Sequence, residues 1–301
     1  MEQITQTICF VLLISSIYPL GLAWAANRSR SLSNALVWTV LAWFGWLVYA
    51  GAMLCYRPHF EERTLCYVVL CVTCGAGVAV LGARRPGVGA WNFVVLGLLA
   101  VMLWPLLEQL VAGEIALGWL RLSFVGLTLA LICLNYLPTC MYVASLLFAL
   151  TCTLEFLTLL GWQWQGVSGW EFLGPAVWAG YLGWRWRKRS IDEFNQLWFD
   201  FRNRIGFIWA QRMREYFNRS AENAGWPVYL SWQGLRTISS PTVENSEFQE
   251  KQAVELFTAM LKRFGPEEKY NGVRPNQPDL QRKEHITNDI SGKDGSAPYP
   301  K

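Results

Sequence analysis

Trp184-Arg185-Trp186-Arg187-Lys188-Arg189-Ser190-Ile191-Asp192-Glu193 joins two kinds of sequence, and its reading decides the fold. Before it, residues 1–183 hold seven Arg and seven acidic residues, 14 charges that cancel, and no lysine occurs before Lys188. From it onward, residues 184–301 hold 19 Lys and Arg against 15 Asp and Glu, 34 charges in 118 residues with net +4. The chain of 301 residues is 53% apolar and 16% charged, with 17 tryptophans; a soluble domain carries about 25% charged residues. An apolar two-thirds attached to a polar third reads as an integral membrane protein. The balance excludes a soluble monomeric enzyme, a disordered scaffold and a disulfide-stapled secreted module.

Working back from the join, apolar runs long enough for a helix to cross hydrocarbon need about 20 residues each. The runs predict an all-α bundle of seven spans at about 8–26, 35–55, 65–83, 90–107, 117–134, 141–160 and 170–186. Arg84-Arg85-Pro86-Gly87 breaks the third from the fourth, and Asn135-Tyr136-Leu137-Pro138-Thr139 supplies the turn between the fifth and sixth. Residues 108–116 read as a semi-polar connector. Ala23-Trp24-Ala25 has the look of a cleavage site, but a signal peptide wants a basic n-region and only Glu2 precedes the run. The first span is therefore read as retained. Gly75, Gly77 and Gly82 in the third span permit close helix packing.

Basic residues near span ends set orientation. With the N-terminus outside, the inner loops carry Arg28, Arg30, Arg84, Arg85, Arg185, Arg187, Lys188 and Arg189, and the outer side carries Arg57, Arg63 and Arg121. Eight against three predicts an N-out, C-in protein. Arg185, Arg187, Lys188 and Arg189 form a membrane-surface anchor, each worth about 1 kcal/mol on anionic lipid.

Beyond the join, Ser190 and Glu193 make a capping box. Ile191, Phe194, Trp198, Phe201, Ile205 and Ile208 recur at threes and fours, predicting one amphipathic helix over 191–224, closed by Gly225. Its aromatic stripe suits either an anionic inner leaflet or packing against the rest of this small domain or a second copy. Trp226 to Trp232 alternates as a short extended segment, and Ser246 with Gln249 opens a second helix over 247–264. Residues 187–265 thus read as a small amphipathic module. Residues 266–301, rich in proline and charge, read as a disordered tail.

Chemistry-bearing residues are few. His59 and His285 are the only histidines, which leaves no haem pair or multi-histidine metal site on the spans. No nucleotide-binding loop, hydrolase elbow or metalloprotease helix is present, and the basic cluster is too short to argue for nucleic acid. No catalytic residue, metal or cofactor is therefore assigned. Cys71-Val-Thr-Cys74 places two thiols on one helical face, as a redox pair requires, but lacks a basic neighbour, so packing is the favoured account. Two ionisable groups lie at membrane depth, Arg121 and Glu155, each 17 residues from Pro138. Their matched depth predicts an ion pair, either holding the hairpin in register or relaying protons or substrate with Glu155 titrating.

The stretch from Trp198 to Leu235, with Asp200-Phe201-Arg202-Asn203-Arg204 and Gly225-Trp226-Pro227-Val228, resembles segments of uncharacterised bacterial multi-pass membrane proteins. The resemblance covers 38 residues of the 301 and carries no assigned activity; it implies a bacterial inner membrane. The expected function is a non-enzymatic membrane scaffold, assembly or sensor component whose partners are the bilayer and, for residues 190–265, anionic lipid or a protein. A small-molecule or lipid permease using Arg121 and Glu155 is the second reading. A thiol-redox membrane enzyme using Cys71 and Cys74 is the third. Nothing in the chain names a substrate or an oligomeric state.

Overall fold

Uninterrupted apolar sequence becomes helix because, in hydrocarbon, only a helix or a closed barrel satisfies every backbone group. The computed structural model describes residues 2–27, 32–55, 59–82, 90–112, 117–162, 167–187, 192–238 and 243–264. It is an all-α bundle. Six helical stretches are long and apolar enough to cross a membrane: Gln3–Asn27, Ser33–Cys55, Glu62–Leu81, Ala90–Gln109, Trp119–Tyr136 and Tyr142–Leu159. The first is divided into α1 (Glu2–Ser15) and α2 (Ile17–Asn27) at Ser16. Pro19 lacks the N–H that would bond back to Ser15, and the buried Ser16 hydroxyl donates to the Leu13 carbonyl at 2.6 Å instead. The others are α3 (Ser33–Cys55), α4 (His59–Leu81), α5 (Ala90–Ala112), α6 (Trp119–Tyr136) and α7 (Tyr142–Leu159). The α6–α7 turn falls where the Pro138 segment predicts it.

The expected seventh span has another form. A 3-10 turn, Gly169–Phe172, leads into α8 (Leu173–Arg185), a helix of 13 residues. At about 1.5 Å per residue that helix covers roughly 20 Å, short of a hydrocarbon core of about 30 Å. Its missing length is made up by the turn, which is enclosed by protein: Gly169, Trp170 and Glu171 are buried. Irregular backbone at this depth is tolerated only where protein covers it.

Packing centres on α4, which contacts α3, α5, α6 and α7. A side chain at Gly77 would meet Ile132 of α6, and one at Gly82 would meet Trp91 of α5, so these glycines set how closely α4 approaches its neighbours. The outward faces of the other spans expose large apolar residues such as Phe93, Val101 and Leu120, the surface expected where the solvent is lipid.

After α8 the chain departs from the predicted single long helix. Gly206, at φ +91°, splits it into α9 (Glu193–Ile205) and α10 (Phe207–Asn223). The α9 cap is Asp192, whose carboxylate accepts from the Phe194 N–H at 3.0 Å; Ser190 lies outside the described residues. The extended segment is one arm of a hairpin, β1 (Val228–Ser231) paired antiparallel with β2 (Gly234–Thr237). The last helix, α11 (Val243–Leu261), begins before Ser246, which therefore sits inside it rather than capping it; a 3-10 turn, Lys262–Phe264, follows. Residues 188–191 and the expected tail, 266–301, lie outside the described residues.

The aromatic stripe of α9 is consumed by this module. Phe194, Trp198, Phe201 and Ile205 are all buried. Phe257 of α11, itself buried, lies with its ring centroid 5.3 Å from Phe194, 6.1 Å from Trp198, 6.2 Å from Phe201 and 6.3 Å from Phe217. The stripe packs against the module's own helices, so any leaflet contact falls to other residues. Phe257→Ala removes the ring all four touch and should cost about 3–5 kcal/mol. Thermal unfolding of the purified full chain in detergent measures this as a lowered Tm.

Candidate functional site

Two places gather polar side chains in the apolar frame. The first surrounds Glu155, which is 1% exposed on the inward face of α7. Its Oε2 accepts from the Tyr49 hydroxyl of α3 at 2.6 Å and from the Cys66 thiol of α4 at 3.5 Å. Its Oε1 accepts from the Trp170 backbone N–H at 2.9 Å. Gly169 makes the last bond possible: a side chain there would stand 2.6 Å from the Thr151 carbonyl and 3.0 Å from Glu155 Oε1. Glu155 is therefore a node joining α3, α4, α7 and the 3-10 turn through neutral donors. The turn is itself closed by Glu171, whose Oε1 accepts from the Ser168 N–H at 3.3 Å and from Gln6 of α1 at 3.4 Å. The Trp170 indole N–H is buried without a hydrogen-bond partner, a burden of about 1–3 kcal/mol on the turn.

The predicted Arg121–Glu155 pair is not formed. Arg121 donates to Glu108 of α5, 2.7 Å from Nη1 to Oε2 and 3.0 Å from Nη2 to Oε1. Depth was matched, but equal distance from a turn leaves the direction each side chain faces unspecified. Arg121 looks across the short α5–α6 connection, whereas Glu155 looks inward with Thr151, Cys152 and Leu159. Cys71 and Cys74 are 0% exposed, and Cys74 lies 3.8 Å from the Val125 carbonyl. Thiol exchange needs an accessible thiolate, and this pair is enclosed. Among the described residues no group of three His, Cys, Asp or Glu is placed to hold a metal ion.

The second place is where the α6–α7 turn meets the module. Asn135, buried at the end of α6, reaches across the α9–α10 break. Its Nδ2 donates to the Ile205 carbonyl at 3.4 Å, and its Oδ1 accepts from the Ile208 N–H at 3.0 Å. A Cβ at Gly206 would collide with this amide, and the positive φ independently favours glycine. Around it, the Cys140 N–H donates to Asn203 Oδ1 at 3.2 Å, Trp232 Nε1 donates to the Pro138 carbonyl at 3.1 Å, and Trp209 Nε1 donates to the Leu81 carbonyl at 3.0 Å. Arg202 supports the same corner, donating to the Trp232 carbonyl at 2.7 Å. Burial lowers the Arg202 pKa and raises that of the Cys140 thiol, the latter against the pull of Arg187 and Arg202.

Of the expected surface anchor, Arg185 is exposed at the end of α8. Arg187 turns instead to α9, pairing with Asp200 at 2.9 Å and lying 3.7 Å over the Trp184 ring. Lys188 and Arg189 lie outside the described residues. The sequence alone marks Asn135 only as a turn residue and gives no role to Tyr49 or Gly169. The usable signal for the first was Gly206, a glycine inside an otherwise periodic helix, which marks a break that something must fill.

The tryptophans also find a role along α3. Trp38 donates to Asn92 of α5 at 3.4 Å, Trp43 to Ser16 at 2.8 Å, and Trp46 to Thr73 of α4 at 3.0 Å. With Tyr49 on Glu155, one helix presents four aromatic donors to four neighbouring elements. Family models, curated proteins and solved structures contain no match to the chain.

Four substitutions separate these roles. Gly206→Ala should cost about 2–4 kcal/mol, combining backbone strain with displacement of Asn135. Gly225→Ala, with positive φ but open space, should cost about 1 kcal/mol; equal Tm losses would deny the Asn135 contact. Tyr49→Phe leaves Glu155 short of a donor and should cost about 1–3 kcal/mol. The half-exposed Arg121→Gln should lower Tm less in the same detergent series.

Proposed function

We propose that the protein is a non-enzymatic component of a bacterial inner membrane, C-terminus cytoplasmic, serving as a scaffold or sensor whose module meets another protein. The observation that carries this reading is how the interior groups are used. Glu155, Cys66, Cys71 and Cys74 are enclosed between helices, while the module is fastened to the spans by its Asn135 side and keeps another surface open. Tyr216, Arg219, Tyr229, Arg236 and Ile238 of the module are exposed, as is Arg212 beside Trp209. Tyrosine and arginine are enriched at protein interfaces and dominate their binding energy. The orientation rests on eight basic residues against three near the span ends. The inner-membrane reading rests on the expected resemblance of residues 198–235 to segments of bacterial multi-pass membrane proteins. The permease reading loses its pair, since Arg121 serves Glu108.

Photo-crosslinking amino acids placed at Tyr216 and Ile238 of the full chain, in living cells, test the proposal. A discrete protein adduct of one mass at either position is expected, and it should persist in Cys71→Ser/Cys74→Ser. Adducts to lipid alone, or none at both positions, would overturn the protein-partner reading.

A further inference from the structure

The two polar places described above are the opposite ends of one pair of helices. α7 carries Glu155 near its C-terminus and follows the Pro138 turn at its N-terminus. α8 begins at the 3-10 turn bonded to Glu155 and ends one residue before the Trp186-Arg187 segment that reaches Asp200 of α9. Between these ends the helices lie in close contact through glycines. A side chain at Gly169 would strike the Thr151 carbonyl, one at Gly183 the Cys140 carbonyl, and one at Gly180 would touch Ala144 at 3.4 Å. Small-residue contacts of this kind lock two helices into one body.

We propose that α7 and α8 act as a single transmembrane lever, which couples the seating of the 3-10 turn on Glu155 to the grip of the α6–α7 turn on the module. The inference deepens the sensor reading and rests on it. Three observations carry it. The connection is continuous: packed helices join a hydrogen-bonded node to a hydrogen-bonded grip with no loop between them. The far end is suited to move, because among the described residues the turn's hydrogen bond to α7 is the one from the Trp170 N–H to Glu155, beside the Gln6–Glu171 bond to α1, and the turn buries the unpartnered Trp170 indole N–H; a buried orphan donor marks a place that stores strain. The near end reads out any shift, because Cys140 and Ile208 both bond side chains across the interface through their backbone amides. A displacement of α7 along its axis moves Cys140 against Asn203 directly.

The test is hydrogen–deuterium exchange of the full chain in lipid nanodiscs, read at the Cys140 and Ile208 amides. Glu155→Gln alters the node, and Gly169→Ala pushes the turn away without removing a polar group. Each should raise exchange at both amides about fivefold or more, the lower end of ordinary allosteric coupling. Trp46→Phe removes an equally buried donor bonded to Thr73, outside the α7–α8 pair, and should leave both amides unchanged. Coupling is reciprocal, so Asn203→Ala at the grip should raise exchange across residues 168–173. Unchanged amides in both node variants, or an equal rise in Trp46→Phe, would overturn the lever. Intact partner adducts alongside lost coupling would sink the lever alone, whereas coupling without adducts would sink the partner reading.

Discussion

Hydrocarbon offers no hydrogen-bond partner, so each polar side chain enclosed between these spans must find its partner within the protein, on its own helix or on a neighbouring one. The arrangement of the bundle follows from that constraint. Trp38, Trp43, Trp46 and Tyr49 fix α3 against α5, the α1–α2 break, α4 and α7. Each of these side chains combines a large apolar body with a single donor, which suits it to a medium where apolar contact alone gives helices little reason to associate. Glu155 is the point where most of these demands meet, with three donors from three elements converging on one carboxyl group.

The same constraint governs the N-terminal end of α8. A turn of backbone set at membrane depth would be untenable against lipid, and it survives because Glu155, Glu171 and the close approach of Gly169 give its amides partners. At the other end, Asn135 performs the equivalent service for the broken α9–α10 helix. Glu155, Glu171 and Asn135 therefore answer for backbone groups that regular structure leaves unpaired.

How much of this was legible in the sequence follows from what each signal encodes. Apolar run length gave the spans, because the thickness of hydrocarbon fixes it. The alternation of Phe194, Trp198, Phe201 and Ile205 gave the inward stripe of α9, because helical period fixes it. Neither quantity carries azimuth or partner, so Arg121 and Glu155 matched in depth yet faced different helices. Gly206 hid within a periodic pattern whose six apolar positions continue across it, and Asn135 looked like any asparagine near a turn; the two explain each other only in three dimensions. The 3-10 turn was invisible for a related reason: Gly169, Trp170 and Glu171 acquire their meaning from Thr151 and Glu155, more than a dozen residues earlier.

The distance in sequence across the Asn135 clasp has a consequence for how the protein is made. Ile208 follows Asn135 by 73 residues, so at about 5–20 residues per second a ribosome leaves the α6–α7 turn without its cover for several seconds. During that interval the Asn135 amide lacks its partners on the module, and α8, whose 13 residues alone fall short of the hydrocarbon thickness, has to be placed beside α7. Biogenesis of this chain is then a sequence of closures, each waiting on a later segment. A truncation that ends before residue 208 would keep the six long apolar helices and leave the Asn135 clasp permanently open.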